Sequence, residues 1–225
     1  MKNNNNKINL AGTVVSEPTT YNCCGENFYS FLLSVKRNSG KEDIIPVNIS
    51  QLLQEKITPG EKIAIKGQVR TYNRVIDNKN RLIITVFAQE VLSYTEDINS
   101  VEITGSFCKA PKYRTTPLGR DICDIHLAVN RERGKSDYIP CIVWGRTAAH
   151  IGQLNVGKKV SIQGRLQSRE YDKKLTDDVI LKGVAYEVSV NRIYDADEIK
   201  EVVVWVEVYI LRILNYLIEQ TTIFI

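Results

Sequence analysis

The feature that most constrains this chain is that it is written twice. The stretch "INLAGTVVSEP" at 8–18 lies over "VEITGSFCKAP" at 101–111, so that Gly12 meets Gly105 and Pro18 meets Pro111 at an offset of 93. One residue further out of step, "LLSVKRNSGKEDIIPVNI" at 32–49 lies over "HLAVNRERGKSDYIPCIV" at 126–143, matching Val35 to Val129, Arg37 to Arg131, Gly40 to Gly134 and Pro46 to Pro140. Three further residues enter the second copy, after which "PGEKIAIKGQV" at 59–69 lies over "VGKKVSIQGRL" at 156–166, and "FAQEV" at 87–91 over "VAYEV" at 184–188. A period near 95 residues is too long for a solenoid repeat, so the expectation is a duplicated domain. The units are 1–97 and 98–195, joined around Thr95 to Ser100, with 196–225 as an atypical apolar tail. Each is long enough to bury its own core.

Each copy reads as strands. In the second, alternating or β-rich runs at 101–109, 122–131, 138–144, 159–171 and 178–192 are separated by Pro, Gly or charged turns. Only the stretch after the third strand looks helical: "RTAAHIGQL" at 146–154, and "SQLLQEKI" at 50–57 in the first copy. Five strands with a helix between the third and fourth is the layout of the oligonucleotide/oligosaccharide-binding (OB) barrel. The predicted fold is therefore all-β, two tandem OB-fold five-stranded barrels, each with one short helix. Glycines 12, 67, 105 and 164, inside good strands, suit the bends a small closed barrel requires.

Alternation assigns faces. In "DYIPCIVWGRTA" at 137–148, Ile139, Cys141 and Val143 fall on one face while Tyr138, Pro140, Ile142 and Trp144 fall on the other, so both faces are apolar. In the fourth strand, Val160, Ile162, Gly164 and Leu166 share the apolar face, and Arg165, Arg169 and Tyr171 share the opposite one. Rings interleaved with cations on one outer sheet face suit single-stranded nucleic acid, with bases stacking on the rings and Arg or Lys tracking the phosphates. The same rings would also suit packing against a second subunit. Further charge stands at Arg131, Arg133, Arg146 and Lys173, and the second segment is the more basic, 16 Lys and Arg against 11 Asp and Glu, compared with 12 against 10 for 1–97.

The second copy resembles the bacterial single-stranded DNA-binding protein family. The resemblance rests on "VEITGSFCKAPKYRTTPLGRDICDIHLAVNRERG", on "DYIPCIVWGRTA" and on "NVGKKVSIQGRLQSREYDKK", and spans most of 101–190. It implies that Tyr138, Trp144 and Tyr171 stack single-stranded DNA, while Arg131, Arg165, Arg169 and Lys173 supply the salt-dependent part. In the first copy Ile44 and Ser50 stand at the positions of Tyr138 and Trp144, so the third-strand platform is gone. What remains is Lys66, Arg70, Tyr72 and Arg74 on the fourth strand, with Phe28 facing outward on the second, and weaker binding or an assembly role is expected there. The resemblance also implies a four-barrel assembly, which a two-barrel chain reaches as a homo-oligomer, a dimer. Work in replication, recombination or repair beside other proteins of those processes follows from it, the alternative readings being a primosomal or recombination accessory protein acting through protein contacts and an RNA-binding OB module; the expected location is cytoplasmic, nucleoid-associated.

Other chemistry finds no support in the residues. His126 and His150 lack partners of a nucleophile motif, and "RGKSD" at 133–137 lacks the first glycine of a phosphate loop, Val129 standing there. The five cysteines, 23, 24, 108, 123 and 141, lack metal-ligand spacing and read as reduced thiols. No enzyme, metal or cofactor is expected. The start, "MKNNNNKINL", has no apolar core of a secretory signal, and Glu201, Glu207, Arg212 and Glu219 interrupt the tail too often for a membrane span. That tail reads as a strand and then a helix, with Trp205 as packing.

Overall fold

The computed structural model describes residues 5–76, 78–132, 134–176 and 179–196, with the side chains of 173–182 outside that description. The expectations for Arg133, the tail and Trp205 fall outside the described residues. The first barrel is built from β1 (Asn6–Val14), β2 (Thr19–Cys23), β3 (Glu26–Lys36), β4 (Glu42–Ser50), β5 (Lys62–Ile76) and β6 (Lys79–Leu92). The second repeats the plan with β7 (Ile98–Phe107), β8 (Lys112–Thr115), β9 (Asp121–Asn130), β10 (Ser136–Trp144), α1 (Arg146–Ile151), β11 (Lys159–Thr176) and β12 (Val179–Asp195).

All twelve strands form one sheet in the order β2-β3-β4-β6-β5-β1-β7-β11-β12-β10-β9-β8, and the pairings β3–β1 and β7–β9 curl its two halves into barrels. The five long strands of each half form the expected OB barrel; β2 and β8 are short additions at the sheet's ends. Alternation is obeyed where it matters: Phe31, Leu33 and Val35 in β3, like Ile125, Leu127 and Val129 in β9, fill the cores. The in-strand glycines are steric necessities. A Cβ at Gly67 would lie 2.2 Å from the Phe87 carbonyl oxygen, and one at Gly164 the same distance from that of Ser189. Each glycine sits at a register shift of its hairpin, where the strand bends to close the barrel.

Two expectations are corrected. The first barrel has no helix over 50–57, only turns. Three residues shorter than its counterpart, that segment closes back on Ser50, whose carbonyl accepts the N–H of Leu53 at 3.0 Å while its Oγ accepts that of Leu52 at 3.1 Å. The alignment of "FAQEV" with "VAYEV" is also out of step. Val86 and Val188 hold the same place beside the third strand, opposite Val47 and Cys141, so the fifth strands correspond at an offset of 102. The β11–β12 hairpin is longer by five residues, and sequence matching placed that difference on the wrong side of the strand.

The halves meet through β1 and β7, which run antiparallel in the register Asn6↔Ile103, Ile8↔Val101 and Leu10↔Asn99. Ile8 and Val101 are the same position in the two copies, so a pseudo-twofold axis passes between them. The contact is self-complementary, as in a symmetric dimer, but made within one chain.

Candidate nucleic-acid interface

The pseudo-twofold explains what Arg37 and Arg131 do. Each reaches the aspartate six positions on: the Arg37 Nε donates to Asp43 at 2.7 Å, and the Arg131 Nε donates to Asp137 at 2.8 Å. Both aspartates are fully buried. Their remaining acceptor capacity is filled from the other copy. Asp43 accepts the backbone N–H of Ser168 at 2.9 Å, and Asp137 accepts that of Thr71 at 2.6 Å. The exchange is completed by the N–H of Ile44 donating to Ser168 Oγ and that of Tyr138 donating to Thr71 Oγ1, at 2.9 and 2.8 Å. Arg70 adds a 3.0 Å bond to Asp137, and the Arg131 guanidinium a 2.9 Å bond to the Thr71 carbonyl. Arg131 and Arg70, expected on the nucleic-acid face, are thus tied into a clamp between the barrels.

Tyr138 and Trp144 do not form one platform. They are six positions apart along the strand, about 20 Å, and they stand at opposite ends of the clamp. Tyr138, half exposed, lies beside Thr71 and therefore beside the Arg70–Tyr72 stretch of the first barrel. Trp144, 39% exposed, donates its Nε1 hydrogen to Ser189 Oγ at 3.1 Å, which fixes the indole with a face toward solvent. It lines a groove of about 790 Å³ whose walls come from both copies, Arg37, Lys41 and Ile44 from the first and Arg120, Arg165 and Arg169 from the second.

Five cationic residues, Arg37, Lys41, Arg120, Arg165 and Arg169, outnumber Glu42 and Glu170 along that groove, although Arg37 is paired with Asp43. Arg165 is half buried, its Nε has no hydrogen-bond partner, and burial followed by the charge of Arg37 pushes its pKa down from the usual guanidinium value. A cation held in that way gains from an incoming anion. Arg169 is exposed and only loosely paired, 3.5 Å from Glu187. Tyr171, 39% exposed, stands opposite Gly183, whose added Cβ would lie 2.6 Å from the ring, so the glycine leaves room for the tyrosine to lie across the hairpin. The Lys173 side chain lies outside the described residues.

On the first barrel, Lys66 pairs with Glu90 at 3.3 Å, while Tyr72 and Arg74 are exposed. Arg146, the first residue of α1, is also exposed. Phe28 is on the outer face as predicted but is covered, stacked under Tyr21 at 5.5 Å and 19° and tilted against Phe87 at 5.7 Å. Sequence reasoning missed Arg37, Lys41, Arg120 and Ile44 as walls of the Trp144 groove. The matching of Arg37 with Arg131 held the signal, but only the pseudo-twofold shows that each copy's hairpin faces the other. No cluster of metal-ligating side chains and no helix long and apolar enough to cross a membrane occurs among the described residues.

Residues 98–196 match the model of the Single-strand binding protein family. Over 85 residues the chain is 39% identical to Single-stranded DNA-binding protein 1 of Staphylococcus aureus (strain COL), covering 34% of this chain and 50% of that protein. Over 98 residues it is 34% identical to Single-stranded DNA-binding protein A of Bacillus subtilis (strain 168), covering 40% and 56%. The chain spans about half the length of the curated relatives it matches. Among solved structures, the wild-type single-stranded DNA binding protein from Thermus aquaticus superimposes with a TM-score of 0.65 at 20% identity, over 84% of this chain and 92% of that one. At that identity the likeness is one of fold.

Proposed function

We propose, on the premise that residues 98–196 belong to the single-strand binding protein family, that this chain binds single-stranded DNA without sequence preference and protects it during replication, recombination or repair. The observation that carries the reading is Trp144: an indole fixed by Ser189, open to solvent, in a groove walled by guanidinium groups. An unpaired base can stack on that ring, whereas bases in a duplex are already stacked on one another. Arg165, Arg169 and Lys173 with Arg120 and Lys41 follow the phosphates of the strand at Trp144. Tyr138, Tyr72 and Arg74 offer a second stretch across the clamp, and Tyr171, Arg146 and Lys66 extend the surface. Arg131 and Arg70 serve this surface by holding it together.

The role is binding rather than catalysis, in the cytoplasm and on the nucleoid. The units are 1–97 and 98–195, and two chains associate to give four barrels. Titration with oligo(dT) and with matched duplex at several salt concentrations, in a Trp205→Phe background so that Trp144 alone reports, tests the reading. Quenching by the single strand that weakens as salt rises is expected. Unchanged emission with the single strand would sink it. The mass of the assembly by light scattering checks the dimer, which a stable monomer would rule out.

A further inference from the structure

Ser50 holds the place in the first barrel that Trp144 holds in the second, and the outer faces around the two positions can be compared strand by strand. In the second barrel the register runs Arg114 on β8, Ile122 on β9 and Trp144 on β10, with Ser189 on β12 one diagonal step away. In the first it runs Tyr21 on β2, Phe28 on β3 and Ser50 on β4, with Phe87 on β6 at the place of Ser189. The tryptophan has gone, but three rings have arrived around the gap it left. Tyr21 lies nearly parallel on Phe28, and Phe87 tilts against the same ring.

The cluster has the properties of a platform rather than of a core. Its residues lie on the outer face, since Phe31 and Ile49, on the strands of Phe28 and Ser50, belong to the core, as do Val86 and Ala88 on either side of Phe87. Tyr21 remains 41% exposed although Phe28 fixes its ring, so it presents a rigid aromatic surface to solvent. Tyr72 is close enough to contribute, after burial and Cys23, to raising the Tyr21 hydroxyl pKa, and Tyr72 is itself exposed. β6 pairs with β5, so Phe87 stands on the strand next to the one that carries Arg70 and Tyr72, the stretch beside Tyr138. Exposed Arg74 follows on the same strand as a cation for phosphate. Glu26 accepts the Ser50 hydroxyl hydrogen and places one negative charge beside the cluster.

We infer that Tyr21 and Phe87, braced by the buried Phe28, form a second base-stacking surface, on the first barrel, that takes unpaired nucleobases of the strand held at Tyr138 and Trp144. This rests on the reading of the chain as a single-stranded DNA binder, and it puts the rings on β2, β3 and β6, the third-strand platform itself being gone from the first barrel. Stacking there adds contact with bases and little with phosphates, so it lengthens the bound stretch of strand without steepening the salt dependence.

The test is photo-crosslinking of the full chain with a long oligo(dT) carrying 5-iodouracil, followed by mapping of the linked peptides. Crosslinks at Tyr21 or Phe87 beside those at Trp144 are expected. Crosslinks confined to the second barrel at saturating oligonucleotide would overturn the inference, and absence of binding altogether would remove the premise instead. Phe28 is buried and its truncation endangers folding, so the matching variants are Tyr21→Ala and Phe87→Ser. Each is expected to shorten the occluded length of strand and weaken binding of long oligo(dT) roughly tenfold, with binding of an oligonucleotide short enough for the Trp144 groove unchanged. A variant that changes the mass of the assembly while occluding the same length would show the rings to be an interface between copies, and the inference would fail.

Discussion

Asp137 accepts the backbone N–H of Thr71 at 2.6 Å, from the hairpin of the other copy, and Asp43 repeats that bond with Ser168 at 2.9 Å. Both carboxylates are buried, so each depends on its arginine and on the opposite copy for every hydrogen bond it makes. Removing the carboxylate leaves guanidinium and amide groups without their acceptor. Asp137→Ala, which deprives Arg131, Arg70 and Thr71 at once, should lower stability by about 3–5 kcal/mol in urea unfolding. Asp43→Ala should cost less, because among the described residues Arg37 is the one arginine hydrogen-bonded to it. Equal losses for the two variants would contradict the asymmetry.

Trp144→Ala should weaken binding of oligo(dT) by about 1–3 kcal/mol, the worth of one stacked base, with little change in stability. Trp144→Phe keeps a ring and should recover most of the affinity. Fluorescence anisotropy of a labelled oligonucleotide separates the two, and a phenylalanine variant as weak as the alanine variant would mean that the Ser189 bond matters more than the ring.

The arginines divide into two classes that salt can distinguish. Arg165 and Arg169 line the groove, so Arg165→Gln or Arg169→Gln should each reduce the slope of log K against log salt by about 0.7, the value of one single-strand phosphate contact. Arg131 is committed to Asp137 and Thr71. Arg131→Gln should leave the slope unchanged and lower the urea midpoint, and a reduced slope there would return Arg131 to the phosphate path.

The barrels were legible because inside and outside alternate with a fixed period. Leu127 and Val129, like Val160 and Ile162, announce a core face wherever they occur. Trp144 and Arg165 were legible for the same reason, as apolar or cationic groups on the face that alternation assigns to solvent. The division of labour between Arg165 and Arg131 was not. Both are arginines beside strands, and only the antiparallel register of Ile8 with Val101 brings the Thr71 hairpin to Asp137. Nor could the loss of Trp144's counterpart reveal its replacement, because Tyr21, Phe28 and Phe87 are scattered over 67 positions and converge only through strand pairing and the five-residue difference in hairpin length.

His126 supplies a pH dependence that is independent of nucleic acid. It lies on the outer face of β9, partly buried, and burial first, then the charge of Lys109, holds its pKa below the ordinary 6.5, with Lys112 acting in the same sense and Asp124 opposing. The folded protein therefore binds this proton less readily than the unfolded chain does. Above about pH 6.5, the unfolded value, neither state is protonated and the histidine costs nothing. As the pH falls through that value the unfolded chain takes up the proton first, so stability declines until the folded pKa is passed and then levels off. Urea midpoints measured from pH 7.5 downward should show that decline, and His126→Gln should flatten it without altering the midpoint at pH 7.5. A decline of the same size in the glutamine variant would place the responsible group elsewhere.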